Sequence, residues 1–194
     1  MSATLGHLVA RFFGSLLPRR VRDADRTWAR TLLTPAEQRV WDRLGRVDAV
    51  ESLRVARRAE RLLAATDDAE DPRWLAAALA HDVGKRESGL GTYRRAIATL
   101  LGRWASPDAP HHWSEARGTL RKAGLYLRHA ELGATSLRVA GARPEVAEWA
   151  EIHHAPARWA DASIPLAVCR ALATADGERV EIPETEVPET GVGD

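Results

Sequence analysis

The 194-residue chain is long enough for one domain with a sizeable core, and its 45% apolar and 28% charged residues are those of an ordinary globular protein. A formal net charge of +1 excludes a broad electrostatic case for nucleic acid or membrane binding, and the single cysteine, Cys169, excludes an intramolecular disulfide. No apolar run reaches the length of a bilayer span and the start has no convincing signal-peptide cleavage site, so a cytoplasmic, bacterial-type protein is expected.

Nearly every segment reads as helix, because alanine, leucine, arginine and glutamate dominate and alternating β-branched runs are missing. Leu5, Leu8, Val9, Phe12, Phe13, Leu16 and Leu17 recur at helical spacing until Pro18, and this amphipathic stretch is expected to dock on the bundle or on a second subunit. Thr34-Pro35-Ala36-Glu37 is a capping-box start for a helix carrying Val40, Trp41 and Leu44. A helix is expected from about Asp48 to Ala65, and Asp71-Pro72 opens the next, with Gly84 as its left-handed stop. Thr92 to Leu101 is a short helix, and Ser106 to His112 reads as a surface loop containing His111-His112. Helices are then expected from Trp113 to Leu127, Glu131 to Ala140, Pro144 to about His153, and Ile164 to Asp176. From Glu178 to Asp194 glutamate and proline replace apolar residues, the composition of a disordered acidic tail.

The chemistry gathers at helix ends. His81-Asp82 closes an apolar run, His129 stands at a junction between helices, and His153-His154 and Asp176 end two more. Imidazole and carboxylate are both ligands for divalent metals, and a carboxylate can bridge two ions. Four of the seven histidines fall in this pattern, which favours metal binding over four unrelated capping histidines. Lys85, four residues after His81, places an ammonium within reach of a phosphate oxygen. Arg94, Arg95, Arg117, Arg121 and Lys122 offer further cations, most of them expected to be solvated, and Arg158 and Trp159 follow the double histidine as possible pocket walls.

With these residues the chain resembles the HD superfamily of metal-dependent phosphohydrolases, and more loosely an actinobacterial group of HD proteins with similar flanks. Ala77 to Lys85 is similar to the defining His-Asp motif, His129 to Ala134 to the additional histidine of two-metal members, Glu151 to His154 to their double histidine, and Ala173 to Asp176 to the closing aspartate. The resemblance spans about Asp48 to Asp176 and implies an all-α antiparallel helical bundle. The implied organisation is an N-terminal helical extension over 1–47 packing on the core, an HD domain over 48–177, and the tail over 178–194.

One position departs from the pattern. The family's first histidine is replaced by Glu51, which shares a helical edge with Val55 and Leu62 and could be a ligand or a surface partner of Arg54 or Arg58. The resemblance implies one or two divalent ions (Fe, Mn, Mg, Zn, Co or Ni). Glu51, His81, Asp82 and Asp176 would stand at one, and Asp82, His129, His153 and His154 at the other. Catalytic roles are expected for Asp82 and Lys85, the lysine stabilising charge on the phosphoryl group, and Lys85 and Arg158 are expected to bind a small phosphorylated substrate such as a nucleotide. The region 155–161 lacks the Gly-Tyr-Pro signature of relatives that cleave cyclic dinucleotides, so that substrate is not expected. Two alternatives stay open: a mixed-valence di-iron oxygenase, and a non-catalytic module binding a nucleotide or partner.

Overall fold

The structure is a computed structural model that describes residues 21–177 except 65, 67, 70, 103 and 107, and at 92, 93, 94 and 96 it describes the backbone alone. The amphipathic stretch Leu5 to Leu17 and the acidic tail 178–194 lie outside the described residues. Among the described residues there is no strand, and no helix is long and apolar enough to cross a membrane.

Helices α1 (Asp23–Leu32), α2 (Pro35–Trp41), α3 (Arg46–Leu63) and α4 (Pro72–Ala80) are followed by a 3-10 helix, Val83–Ser88. Then come α5 (Thr92–Gly102), α6 (Ala109–Glu115), α7 (Gly118–Leu127), α8 (His129–Ala140) and α9 (Pro144–Ile152). A second 3-10 helix, Pro156–Asp161, leads to α10 (Leu166–Asp176). The expected start of α2 is present in full: Thr34 Oγ1 accepts from the Glu37 N–H while the Glu37 carboxylate accepts from the Thr34 N–H. The α4 start is likewise capped, by Asp71 on the Arg73 N–H.

α4 is the axis of the main core. Trp74 to Ala80 are all buried, because the run of alanines lets α1, α2, α3, α9 and α10 approach this one short helix from several sides. Ala29, Leu33, Val40 and Trp41 belong to the same cluster, so the described helices before residue 46 share the core of the helices that follow. Two polar ties fix this arrangement. Trp41 Nε1 donates to Ser52 Oγ at 3.0 Å, and the fully buried Glu37 carboxylate accepts from the guanidinium and N–H of Arg143.

A smaller cluster of Leu90, Ala98 and Ala123, flanked by Trp113 and Tyr126, joins α5, α6 and α7. Here α5 is packed in reverse. Its small residue Ala98 is 2% exposed, whereas Ile97, Leu100 and Leu101 are 57%, 60% and 53% exposed, followed by Trp104 at 91%.

Three local expectations are corrected. Gly84 is not a left-handed stop: among the described residues the left-handed glycines are Gly89, Gly118, Gly141 and Gly177, and Gly84 lies inside the first 3-10 helix. Its lack of a side chain serves close approach instead, because a Cβ there would stand 1.9 Å from the His129 carbonyl oxygen and 2.6 Å from the Gly133 nitrogen. The helix expected from Trp113 to Leu127 is two helices, broken where Ala116 and Arg117 become extended and Gly118 turns to φ 65°. Finally, His111-His112 lie in α6 rather than in a loop, since Pro110 suits a first helical turn, and both are exposed.

Candidate metal centre

Four helix ends deliver the polar cluster. His81 is the C-cap of α4, and Asp82 leaves the helix at φ −106°, ψ 12° to begin the 3-10 turn. His129 is the first residue of α8, His153 caps the end of α9 with His154 following, and Asp176 is the last residue of α10 before the left-handed Gly177. Three of these ends are C-termini, whose carbonyl dipoles favour a cation. The backbone contact of Gly84 with His129 and Gly133 lets α8 approach closely enough to bring His129 beside Asp82.

The imidazoles are aimed by their own backbones. His81 Nδ1 lies 2.8 Å from the Ala78 carbonyl, His129 Nδ1 2.8 Å from that of Tyr126, and His153 Nδ1 2.9 Å from that of Ala150. A carbonyl only accepts, so each Nδ1 carries its hydrogen and each Nε2 points inward. Those three Nε2 atoms and Asp82 Oδ1 are buried and have no hydrogen-bond partner among the described residues, an arrangement that is costly unless a cation gathers them. His129 Nε2 lies 3.2 Å and His153 Nε2 3.8 Å from Asp82 Oδ1, while His81 Nε2 lies 3.1 Å from Asp82 Oδ2 and 3.5 Å from Asp176 Oδ1. His129, His153 and His154 each offer a ligand atom within 4.8 Å of the others. Tyr126 stacks on His129 and Trp149 packs against His153, so neighbouring aromatics hold both rings.

The charges are unevenly disposed. Burial alone raises the Asp82 carboxyl, but Lys85 and His81 outweigh it and hold the group well below the usual range. Burial lowers His81, yet Asp82 and Asp176 raise it well above an ordinary histidine. Burial and the neighbouring His81 and His154 rings push His153 well below 6.5, which keeps it neutral with a lone pair on Nε2. Asp176 falls to about 2, because its contacts with His81 overcome burial.

Not every candidate joins the cluster. The Glu51 carboxylate accepts from Arg54 at 2.7 Å, with its side chain 37% exposed. Lys85 lies on Asp82 Oδ2. Arg158 pairs with Glu151 at 2.9 Å and lines an open groove of about 390 Å³ with His111, Arg128 and Glu131. Trp159 is core, donating Nε1 to the Ile152 carbonyl. Arg95 was expected to be one of several solvated cations, but it is half-buried in a pair with Asp48 and donates to the Leu90 carbonyl, tying α3 to the segment after Lys85. Nothing in the sequence pairs residues so far apart. The Gly84–Gly133 crossing was equally hidden, although each glycine stands beside a ligand-bearing residue in the sequence.

A family model described as HD domain matches residues 50–186. No curated protein and no solved structure matches the chain significantly.

Proposed function

We propose that this chain, which belongs to the HD-domain family, is a metal-dependent phosphohydrolase acting on a small phosphorylated compound such as a nucleotide. The observation that carries this reading is the convergence of His81 Nε2, His129 Nε2, His153 Nε2 and Asp82 Oδ1, all buried without hydrogen-bond partners among the described residues. Nitrogen and carboxylate donors of this kind fit a borderline divalent ion such as iron, manganese, zinc, cobalt or nickel. Such an ion, when bound, supplies a Lewis acid that lowers the pKa of water into the physiological range.

The chain's own residues do the rest. His129 and His153 hold their rings rigid through Tyr126 and Ala150, so the donors need no reorganisation on loading. Asp82 presents its two oxygens to opposite sides of the cluster. Lys85, whose side chain is 23% exposed, holds its ammonium at Asp82 Oδ2, from where it can donate to a phosphate oxygen as charge builds there. Arg158 lines the neighbouring groove, where it can bind an anionic group of the substrate in place of Glu151.

Hydrolysis of a panel of phosphomonoesters and phosphodiesters by the metal-loaded protein tests this reading. Turnover of at least one member is expected, and Lys85→Ala should keep the metal but reduce turnover by about 100-fold. Oxygen consumption without phosphate release would replace the hydrolase by an oxygenase, and a protein that binds metal but performs neither reaction would overturn catalysis altogether.

A further inference from the structure

The helix α5 lacks an apolar contact on its outer face. An 11-residue helix is marginal in water on its own propensity, and among the described side chains of α5 only Ala98 is fully buried. Ile97, Leu100 and Leu101 stand on the outer face at i, i+3 and i+4, each more than half exposed. The turn after the helix extends this stripe. There the Trp104 N–H donates to the Leu101 carbonyl at 3.2 Å, and the indole is the most exposed large apolar side chain among the described residues. Single exposed leucines are ordinary, whereas a contiguous apolar stripe marks an interaction surface. No residue from Ala96 to Gly102 is charged, so two such stripes can meet without repulsion.

We propose that α5 is the contact through which two copies of this chain associate, antiparallel across a twofold axis. The spacing is self-complementary: with Leu100 and Leu101 at the axis, Trp104 of each copy reaches over Ile97 of the other. The area selects a second copy over a small ligand. Trp104 presents roughly 200 Å² and the three aliphatic side chains roughly 100 Å² each, on the order of 500 Å² per copy. Homodimer interfaces are about 65% apolar, so this stripe matches an interface of about 800 Å² per copy, the size found in stable complexes. The inner side of α5 leads to the metal centre. Thr99 Oγ1 donates to the Tyr126 hydroxyl at 3.4 Å, and Tyr126 stacks on His129. At the end of the helix a Cβ on Gly102 would stand 2.7 Å from Leu127 Cδ2, so α5 and α7 meet closely there. Association on the outer face therefore holds α5 against α7 and, through Tyr126, steadies the wall that carries His129.

Sedimentation of the full-length protein over a range of concentrations tests the contact. A dimer is expected at about 10 µM, within the range for interfaces of this size. Leu100→Glu and Trp104→Ala should each weaken association by at least about 30-fold, whereas Val139→Glu, at an exposed apolar residue of α8, should leave it unchanged. Circular dichroism checks that each variant folds. Should Leu100→Glu not fold, Leu101→Cys gives a second reading: oxidation should link two chains across the axis, and Val139→Cys should stay unlinked. A dimer indifferent to both α5 variants, or lost in Val139→Glu alone, would overturn the proposal. A monomer at about 100 µM would overturn it as well, and strong amide protection of α5 in that monomer would assign the stripe to residues 5–17 of the same chain.

Discussion

The main core and the small cluster reach the histidines through different aromatics, Trp149 against His153 from the first and Tyr126 against His129 from the second. In the main core the helix ends are set by packing on every side. Leu79 and Leu172, close before His81 and Asp176, are 0% and 1% exposed. In the small cluster Leu90, Ala98 and Ala123 are the buried apolar residues, and α5 turns its larger side chains outward. His81, Asp82, His153 and Asp176 thus stand on rigid ends, whereas His129 and Lys85 lie on the seam where Gly84 crosses α8. A site built across such a seam can fix most donors in advance and still let one wall open, because local unfolding starts where little apolar surface is buried.

The sharpest way to break this contrast is a pair of truncations. Leu79→Ala should cost about 4 kcal/mol in denaturant unfolding and Leu90→Ala about half of that. Equal losses would mean that the two clusters unfold as one unit. Amide exchange should agree, with α5 to α7 exchanging faster than α4 and α9.

The Glu37–Arg143 pair tests the rigid side through pH. Burial raises the Glu37 carboxyl, but Arg143 and two backbone N–H groups outweigh it, so its folded pKa lies below its ordinary value. A depressed carboxylate contributes stability that is complete above the unfolded pKa of about 4.3 and is lost as pH falls through the folded value. Glu37→Gln should therefore cost about 3 kcal/mol at neutral pH, and the gap from wild type should shrink below about pH 4. A gap independent of pH would assign the loss to packing alone.

At the seam, Gly84→Ala should cost about 2 kcal/mol and also weaken metal binding, since its Cβ would push His129 away. Loss of stability with unchanged affinity would separate the glycine crossing from the metal centre. The smallest effect is expected at Glu51, whose exposed pair with Arg54 contributes under about 1 kcal/mol. Glu51→His should leave the melting temperature nearly unchanged and increase metal occupancy, and reduced occupancy would instead make the native carboxylate a ligand.

How much of this was legible in the sequence depends on the range of the interaction. The all-helical fold, the Thr34 capping box and the placing of His81, His129, His153 and Asp176 at helix ends follow from local rules of spacing and capping. The break before Gly118 and the approach of Gly84 to His129 do not. A left-handed stop and a close backbone contact both select glycine, and only the packing partner distinguishes them. The direction of Glu51 was equally out of reach, because its helical edge fits both the interior and Arg54. The inward aim of each Nε2 depends on an i−3 carbonyl, a geometry that becomes readable only once the helix ends are known.

The decisive readout is metal content, measured by elemental analysis on the purified full-length protein and on Asp82→Asn. The amide keeps the shape of the carboxylate but removes the charge between His81 and His129. Wild type should retain a transition metal ion on each chain through dialysis, and Asp82→Asn, folded by circular dichroism, should retain almost none. A wild-type protein that neither retains nor takes up metal, or a variant that keeps its full complement, would contradict the account.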